Sequence, residues 1–378
     1  IYIKFTLFVM FFLKKFLFYF RQSIKIIIFT IILILLIDYI FGNKILDLID
    51  PYLKKTEFYD KRIRVWDKVF HHTFKKNVNL EFKQHGKTGK FCTNNLGFKS
   101  KCNSQSIKSY RYGFMGDSFT EGIGLNYEST FVGIFENKIG SNVANMGVSS
   151  YSPKLHLAKI NFYLNKGIQF DHIILFLDIS DYYDEAYYKF DEKFFSVVHN
   201  KKDKRRIWAR ENFPLTNFYF YVLKRIKKNP KSYKKIQDKV FFDESVKRKT
   251  AWLDKELDEF KINGETVSKI HEDTKYYIDQ IYNILNEKGI KFSLAIYPWP
   301  QNLINKKNNF FYRNEWKKFC INRCEYFFDY FEEFNNQLKF KGFEKVYKKY
   351  FFYNDVHFNK EGNILISEKL ISKFLSQQ

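Results

Sequence analysis

The sequence predicts an α/β protein: a three-layer α/β/α doubly wound parallel sheet, with an N-terminal transmembrane helix and a helical insertion. Three observations predict it. From Ser109 onward, strand-like and helix-like segments alternate, the pattern of βαβ units joined into a parallel sheet. Two of the strand-like runs, His172 to Leu177 and Phe292 to Tyr297, are apolar almost throughout, as strands covered by helices on both faces must be. Pro153 opens a helix-like run that reaches Asn165, and a proline at the first turn gives up an N–H that would have no partner there anyway.

In chain order, the first strand is predicted from Tyr110 to Met115. A helix from Ser129 to Lys138 follows, with Phe131, Ile134 and Phe135 on one face. Asn142 to Met146 is a short second strand, and the proline-opened helix leads to the third, His172 to Leu177. Helical spacing from Thr266 to Lys288 stops at Gly289, a residue suited to ending a helix. The strand Phe292 to Tyr297 is closed by Pro298 and Pro300. A helix from Asn314 to Ile321, a strand near Tyr326 to Phe328 and a last helix from Lys360 to Leu375 complete the series. Between Tyr182 and about Ala251 the rhythm breaks. This stretch holds Lys201-Lys202-Asp203-Lys204-Arg205-Arg206, Phe218-Tyr219-Phe220-Tyr221 and Lys224-Arg225-Ile226-Lys227-Lys228. It reads as a largely helical insertion, either a lid or cradle for an anionic polymer or headgroup, or a basic solvated elaboration.

Ahead of the α/β pattern lies a membrane signal. Ile26 to Ile37 is unbroken apolar sequence apart from Thr30, and extension to Ile24 and Phe41 brings it close to the roughly 20 residues needed to cross the hydrocarbon. No A-x-A-like cleavage site follows in Asp38-Tyr39-Ile40-Phe41-Gly42-Asn43, so an uncleaved anchor is expected rather than a signal peptide. Lys14, Lys15, Arg21 and Lys25 precede the span. A Lys/Arg excess in short flanks stays in the cytoplasm, which puts the bulk of the chain on the extracytoplasmic side, periplasmic or external. Residues 1–20 are apolar too, interrupted by Lys14-Lys15, and are expected as an interfacial helix or a further span. The organisation read from the sequence is therefore an anchor over 1–42, with its span at about 24–41, and a lead-in over 43–108 packed on the main domain. The main α/β domain then covers 109–378, with the insertion at about 182–251.

Composition narrows the partners. The 378 residues carry 64 Lys+Arg against 41 Asp+Glu, a formal charge of +23. The excess is scattered rather than gathered in one stripe, and no zinc-finger spacing or RNP-type aromatic motif accompanies it, so no nucleic-acid partner is expected. Of the four cysteines, Cys92 and Cys102 could pair outside the cytoplasm. Cys320 and Cys324 read as structural or free thiols, since neither pair has the C-x2-C spacing of a zinc site. No metal and no organic cofactor is expected.

The chemistry sits in two segments far apart in sequence. Gly116-Asp117-Ser118 follows the first predicted strand, and Asp355-Val356-His357 lies close to the last helix. A hydroxyl becomes a nucleophile when a base takes its proton and a third group orients that base, and these segments hold all three. Each is open to a plainer reading, Ser118 as a turn residue and His357 as a structural histidine. Ser118, Gly147, Asp178 to Asp181 and His357 all fall after predicted strands or in the late loop, and ligands of open parallel sheets bind at the carboxyl ends of strands.

These ordered blocks resemble the SGNH (GDSL-like) hydrolase superfamily over residues 109–378, which implies its flavodoxin-like fold. Gly116-Asp117-Ser118 matches the first block, whose serine is the nucleophile. Asn145-Met146-Gly147 matches the second, which implies Gly147 as a backbone oxyanion donor beside Ser118. Asp178-Ile179-Ser180-Asp181 occupies the third, usually Gly-x-Asn-Asp; Ser180 stands at the asparagine's place, where the resemblance implies a further oxyanion donor. The last block in many members is Asp-x-x-His, but Asn354 stands three residues before His357, so Asp355 is the expected acid of an Asp-x-His form. Asp117, Asp178, Asp181, Trp299 and Gln301 are expected to line the site; Trp299 and Gln301 sit among prolines that could equally serve a turn. The resemblance implies a membrane-anchored serine esterase that removes O-acyl groups, acetyl among them, from a carbohydrate or other ester. An O-acyltransferase acting on an envelope or exported polysaccharide, and a catalytically silent scaffold, are the alternatives.

Overall fold

A computed structural model describes residues 2–53, 63–84, 87–198, 205, 208–209, 212–220, 261–304, 310–353 and 355–376. Most of the expected basic insertion, including 201–204 and 221–251, lies outside them, as does Asn354. The chain divides into two compact units. One comprises Ile1–Lys54 and Asn200–Ser232, the other Lys55–His199 and Tyr233–Gln378.

The first unit is built on one continuous helix, Tyr2–Leu53. Lys14-Lys15 does not interrupt it, because lysine is a good helix former. Its apolar window, Leu13–Gly42, is long and apolar enough to cross a membrane.

The second unit contains a five-stranded parallel sheet. In space its strands run Tyr326–Asp329, Lys291–Ile296, Gln169–Leu177, Ser109–Met115 and Val143–Asn145. Numbered along the chain this is the order 2-1-3-4-5 read from the other edge, a doubly wound sheet whose switch point lies between the first and third strands. Gly113 pairs with Ile173 and Ala144, and Leu177 with Ile296. This register brings the residues after Met115, Leu177 and Ile296 out on one rim. Helices Phe131–Ile139, Pro153–Asn165, Val267–Glu287, Phe310–Cys320, Tyr330–Lys341 and Lys360–Leu375 accompany the sheet. The core is aromatic: Phe131 lies 4.6 Å from Phe176 and Phe114 5.1 Å from Phe135, centroid to centroid, within the range where tilted ring pairs add to burial.

Several elements differ from expectation. The lead-in forms two antiparallel hairpins, Arg64–Asp67 with His71–Phe74 and Asn79–Gln84 with Lys87–Cys92. It then bridges the sheet's edge strand through Lys99 and Asn145, shielding an otherwise open edge. Among the described residues, the helices Ser118–Glu121, Pro300–Ile304, Tyr330–Lys341 and Phe343–Tyr350 were not expected from the sequence. After the third strand come a helix, Ser180–Tyr187, and a hairpin, Lys189–Asp191 with Ser196–Val198, so the insertion is not purely helical at its start. Cys92 is bonded to Cys102, and Cys320 to Cys324; the second pair closes the turn after helix Phe310–Cys320 and corrects the free-thiol alternative.

Candidate active site

The first strand ends in a turn that only glycine fits. A Cβ on Gly116 would collide with Thr120 Oγ1 and lie 3.1 Å from Phe176 Cβ. Asp117 then caps the short helix Ser118–Glu121, its Oδ1 accepting the Phe119 N–H at 2.9 Å. Ser118 is thereby held at the sheet's rim as the first residue of that helix, 9% exposed.

His357 arrives from a loop pinned at both ends. Phe351 and Phe358 form an isolated bridge, the Phe352 N–H donates to the His357 carbonyl at 3.0 Å, and Tyr347 Oη donates to the Asp355 carbonyl at 3.2 Å. Asp355 Oδ1 accepts the backbone N–H groups of Val356 and His357 at 2.6 and 3.2 Å, which fixes the carboxylate. The same oxygen lies 2.6 Å from His357 Nδ1, and His357 Nε2 lies 2.8 Å from Ser118 Oγ. With Nδ1–H donated to Asp355, Nε2 is left to accept the serine proton. Residues 239 positions apart thus meet within one hydrogen bond. Burial works against a charged imidazole, yet the adjacent Asp355, with Asp117 and Glu121 further off, outweighs it and raises the His357 pKa above its ordinary 6.5.

Beneath the serine is an acidic floor. Asp117 Oδ1 also accepts from Tyr297 Oη at 2.9 Å, and Oδ2 lies 3.2 Å from Ser118 Oγ. Asp178 accepts from Trp299 Nε1 at 2.6 Å, and its N–H donates to Asp181 Oδ2 at 2.6 Å. Burial, then the neighbouring Asp178, pushes Asp117 up to about 7. Burial with Asp178 and Asp117 raises Asp181 well above the carboxylate range. Gln301 is buried on helix Pro300–Ile304, and among the described residues no hydrogen bond joins it to the triad.

The floor makes a pH test. The unfolded chain releases the Asp117 proton near 3.8, whereas the folded chain keeps it to about 7. Asp117 therefore costs stability progressively as pH rises through that window. Asp117→Asn removes this loss, so the Tm of the variant minus that of wild type climbs between those pH values and levels off above them. A difference that stays constant across pH would contradict the assignment.

Two of the three expected oxyanion donors have partners within the chain. The Gly147 N–H is occupied, donating to Asn145 Oδ1 at 3.0 Å. Its lack of a side chain answers packing instead, since a Cβ would lie 2.6 Å from Glu121 N and 2.7 Å from Thr120 C. Ser180 Oγ donates to Asp178 Oδ1 at 2.6 Å, so its proton is also engaged. In the same turn the N–H groups of Met146, Val148 and Tyr151 donate to the carbonyls of Phe114, Gly116 and Val148, and that of Ser149 to Glu121 Oε2. Ser150, in the left-handed region at φ 60°, has the one N–H of this turn with no partner among the described residues. The Ser118 N–H, at the first turn of its helix, likewise has none.

Sequence reasoning missed the residues that lock this turn to the helix Ser118–Glu121. Glu121, buried at the end of the helix, accepts from Arg64 at 2.6 and 2.8 Å and from Ser149 Oγ at 2.6 Å. Burial opposes its charge, but the Arg64 guanidinium prevails and holds the carboxyl below its usual range. Lys99, also buried, donates to the carbonyls of Gly122 and Leu125 at 2.8 Å each. Both cations come from the lead-in. Breaking a buried ion pair by removing one partner costs roughly 3–5 kcal/mol. Glu121→Ala should lose stability on that scale in urea unfolding, and a loss under about 1 kcal/mol, the worth of an exposed pair, would show the network to be weak.

Among the described residues no group of three or more His, Cys, Asp or Glu side chains is placed to hold a metal ion.

No protein-family model and no curated protein matches the chain. Solved structures do. A protein from Desulfitobacterium hafniense DCB-2 assigned to the lipolytic G-D-S-L family is 14% identical, with a TM-score of 0.36, over 70% of this chain and 99% of its own. Two variants of Axe2, an acetyl-xylooligosaccharide esterase from Geobacillus Stearmophilus, are 12% and 11% identical, each with a TM-score of 0.39, over 70% and 71% of this chain and 94% of theirs. So slight a likeness carries no argument about chemistry, which rests on the geometry above.

Proposed function

We propose that the chain is a membrane-anchored serine ester hydrolase of the SGNH (GDSL-like) type, acting on O-acyl groups, acetyl among them, of a carbohydrate. The observation that carries this reading is the continuous relay from Asp355 through His357 to Ser118 Oγ, at 2.6 and 2.8 Å. His357 Nε2 takes the serine proton as Oγ attacks the ester carbonyl, and Asp355 holds the tautomer and stabilises the imidazolium that forms. The Ser118 N–H receives the developing oxyanion, while the Gly147 N–H and the Ser180 hydroxyl are engaged with Asn145 and Asp178. His357 then gives its proton to the leaving alcohol, and water, activated by the same imidazole, releases the acid from the acyl-serine.

Both disulfides support placing the catalytic unit on the extracytoplasmic side, since such bonds persist in oxidising compartments. The carbohydrate is proposed from the resemblance of the ordered sequence blocks, Asp355-Val356-His357 in its Asp-x-His form above all, to the SGNH superfamily. The test is acetate release from acetylated oligosaccharides by the full chain, followed by mass spectrometry. Free acetate supports the hydrolase. Transfer of the acetyl group to a second sugar without free acetate would make the protein an acyltransferase, and no turnover of any ester would refute both.

A further inference from the structure

Asp38 lies within the apolar window Leu13–Gly42 and is 2% exposed. A carboxylate there is costly unless its oxygens are satisfied. They are satisfied by a segment some 180 residues away. Oδ1 accepts the Leu215 N–H at 2.9 Å and Oδ2 the Thr216 N–H at 2.7 Å, two donors in the first turn of the helical residues 214–220, which would otherwise lack acceptors. Gly42 permits the approach, since a Cβ there would collide with Asp38 Oδ1 and lie 2.8 Å from Pro214 Cγ. Tyr39 stacks obliquely 6.2 Å from Phe213, which lies 5.4 Å from Trp208. All these residues belong to the same compact unit.

The remaining faces are exposed and aromatic. Trp208, Tyr219 and Phe220 are 59%, 59% and 62% exposed, and on the spanning helix Tyr39, Ile40 and Phe41 are 60%, 55% and 49% exposed. At 1.5 Å per residue the 30-residue window is about 45 Å long, against about 30 Å of hydrocarbon. Asp38 to Gly42 therefore emerges at the headgroup level, where Trp and Tyr concentrate.

We propose that the segment bearing Trp208, Phe213 and residues 214–220 is a second membrane element, lying in the bilayer interface against the end of the spanning helix. Asp38 is its tether and the lipid surface its partner. The insertion, at this part, serves the anchor rather than a lid. This rests on the reading that Leu13–Gly42 spans the membrane, so the test reads the two separately.

All four cysteines are paired, so one introduced thiol gives one spin-label site in the full chain. Labels are placed by Phe220→Cys and Trp208→Cys, with Ile32→Cys in the span and Glu287→Cys on an exposed helix end as references. The protein is reconstituted in phosphatidylcholine–phosphatidylglycerol nanodiscs, and the accessibility of each label to oxygen and to a water-soluble nickel chelate is compared. The labels at 208 and 220 should favour oxygen several-fold over the label at 287, approaching the label at 32. Asp38→Leu should return the label at 220 to the aqueous value, and Asp38→Asn, which keeps one acceptor, should shift it part of the way. Aqueous values at 208 and 220 with a lipid value at 32 would overturn this inference alone. An aqueous value at 32 would overturn the spanning helix and this inference with it. Insensitivity to Asp38→Leu would overturn the tether.

Discussion

Ser118→Ala should lower kcat for a chromogenic acetyl ester by roughly a million-fold, the scale seen when the nucleophile of a serine triad is removed. His357→Ala should fall to a similar floor, and the double variant should be no worse than either, because the two act as one unit. The reason is geometric. Ser118 Oγ faces a base at 2.8 Å, nearer than its other neighbour, Asp117 Oδ2, at 3.2 Å. Both variants should retain the wild-type circular dichroism, since neither side chain supports the core. Equal rates in wild type and Ser118→Ala would leave a fold without this chemistry.

The second large effect belongs to Asp355→Asn. An amide at this place disfavours the tautomer that leaves Nε2 free, and the corresponding change in a well-studied triad costs about 10,000-fold in kcat. It also predicts a pH shift of known sign. His357 must be neutral to act as base, so wild-type kcat/KM rises with pH through a value above 6.5. Without Asp355, the burial that lowers the imidazole pKa is less opposed, and the rising limb moves to lower pH. A drop in rate with an unmoved limb would mean that Asp355 orients the ring without setting its charge.

Periodicity and apolarity are properties of contiguous residues, and what they encode was legible in the sequence. The helices Pro153–Asn165 and Lys360–Leu375 begin and end where proline, asparagine and the apolar spacing place them. The strands Gln169–Leu177 and Lys291–Ile296 were visible because most of their residues are buried and read as an apolar run. The lead-in hairpins were not, since Asn79–Gln84 and Lys87–Cys92 are short, lysine-bearing and register-dependent. Helix Tyr330–Lys341 escaped notice because it starts directly after the strand Tyr326–Asp329 with an aromatic run of its own.

The site was half legible for a similar reason. Side chains with chemistry of their own, Ser118, Asp355 and His357, announce themselves by type and order, and the structure brings them together. Backbone donors do not. Whether Gly147 presents a free N–H depends on where Asn145 aims its side chain. The left-handed φ of Ser150 was not readable from a serine, because glycine is the usual sign of that conformation. Arg64 and Glu121 stand 57 residues apart, with no local pattern to couple them.

The most direct measurement is covalent. A fluorophosphonate reacts with a serine only when a neighbouring base has activated it. Incubated with the full chain and mapped by peptide mass spectrometry, the reagent should leave one phosphonyl adduct on Ser118, and His357→Ala should abolish it. An unmodified Ser118 under conditions that label a known serine esterase, or labelling indifferent to His357, would contradict the account.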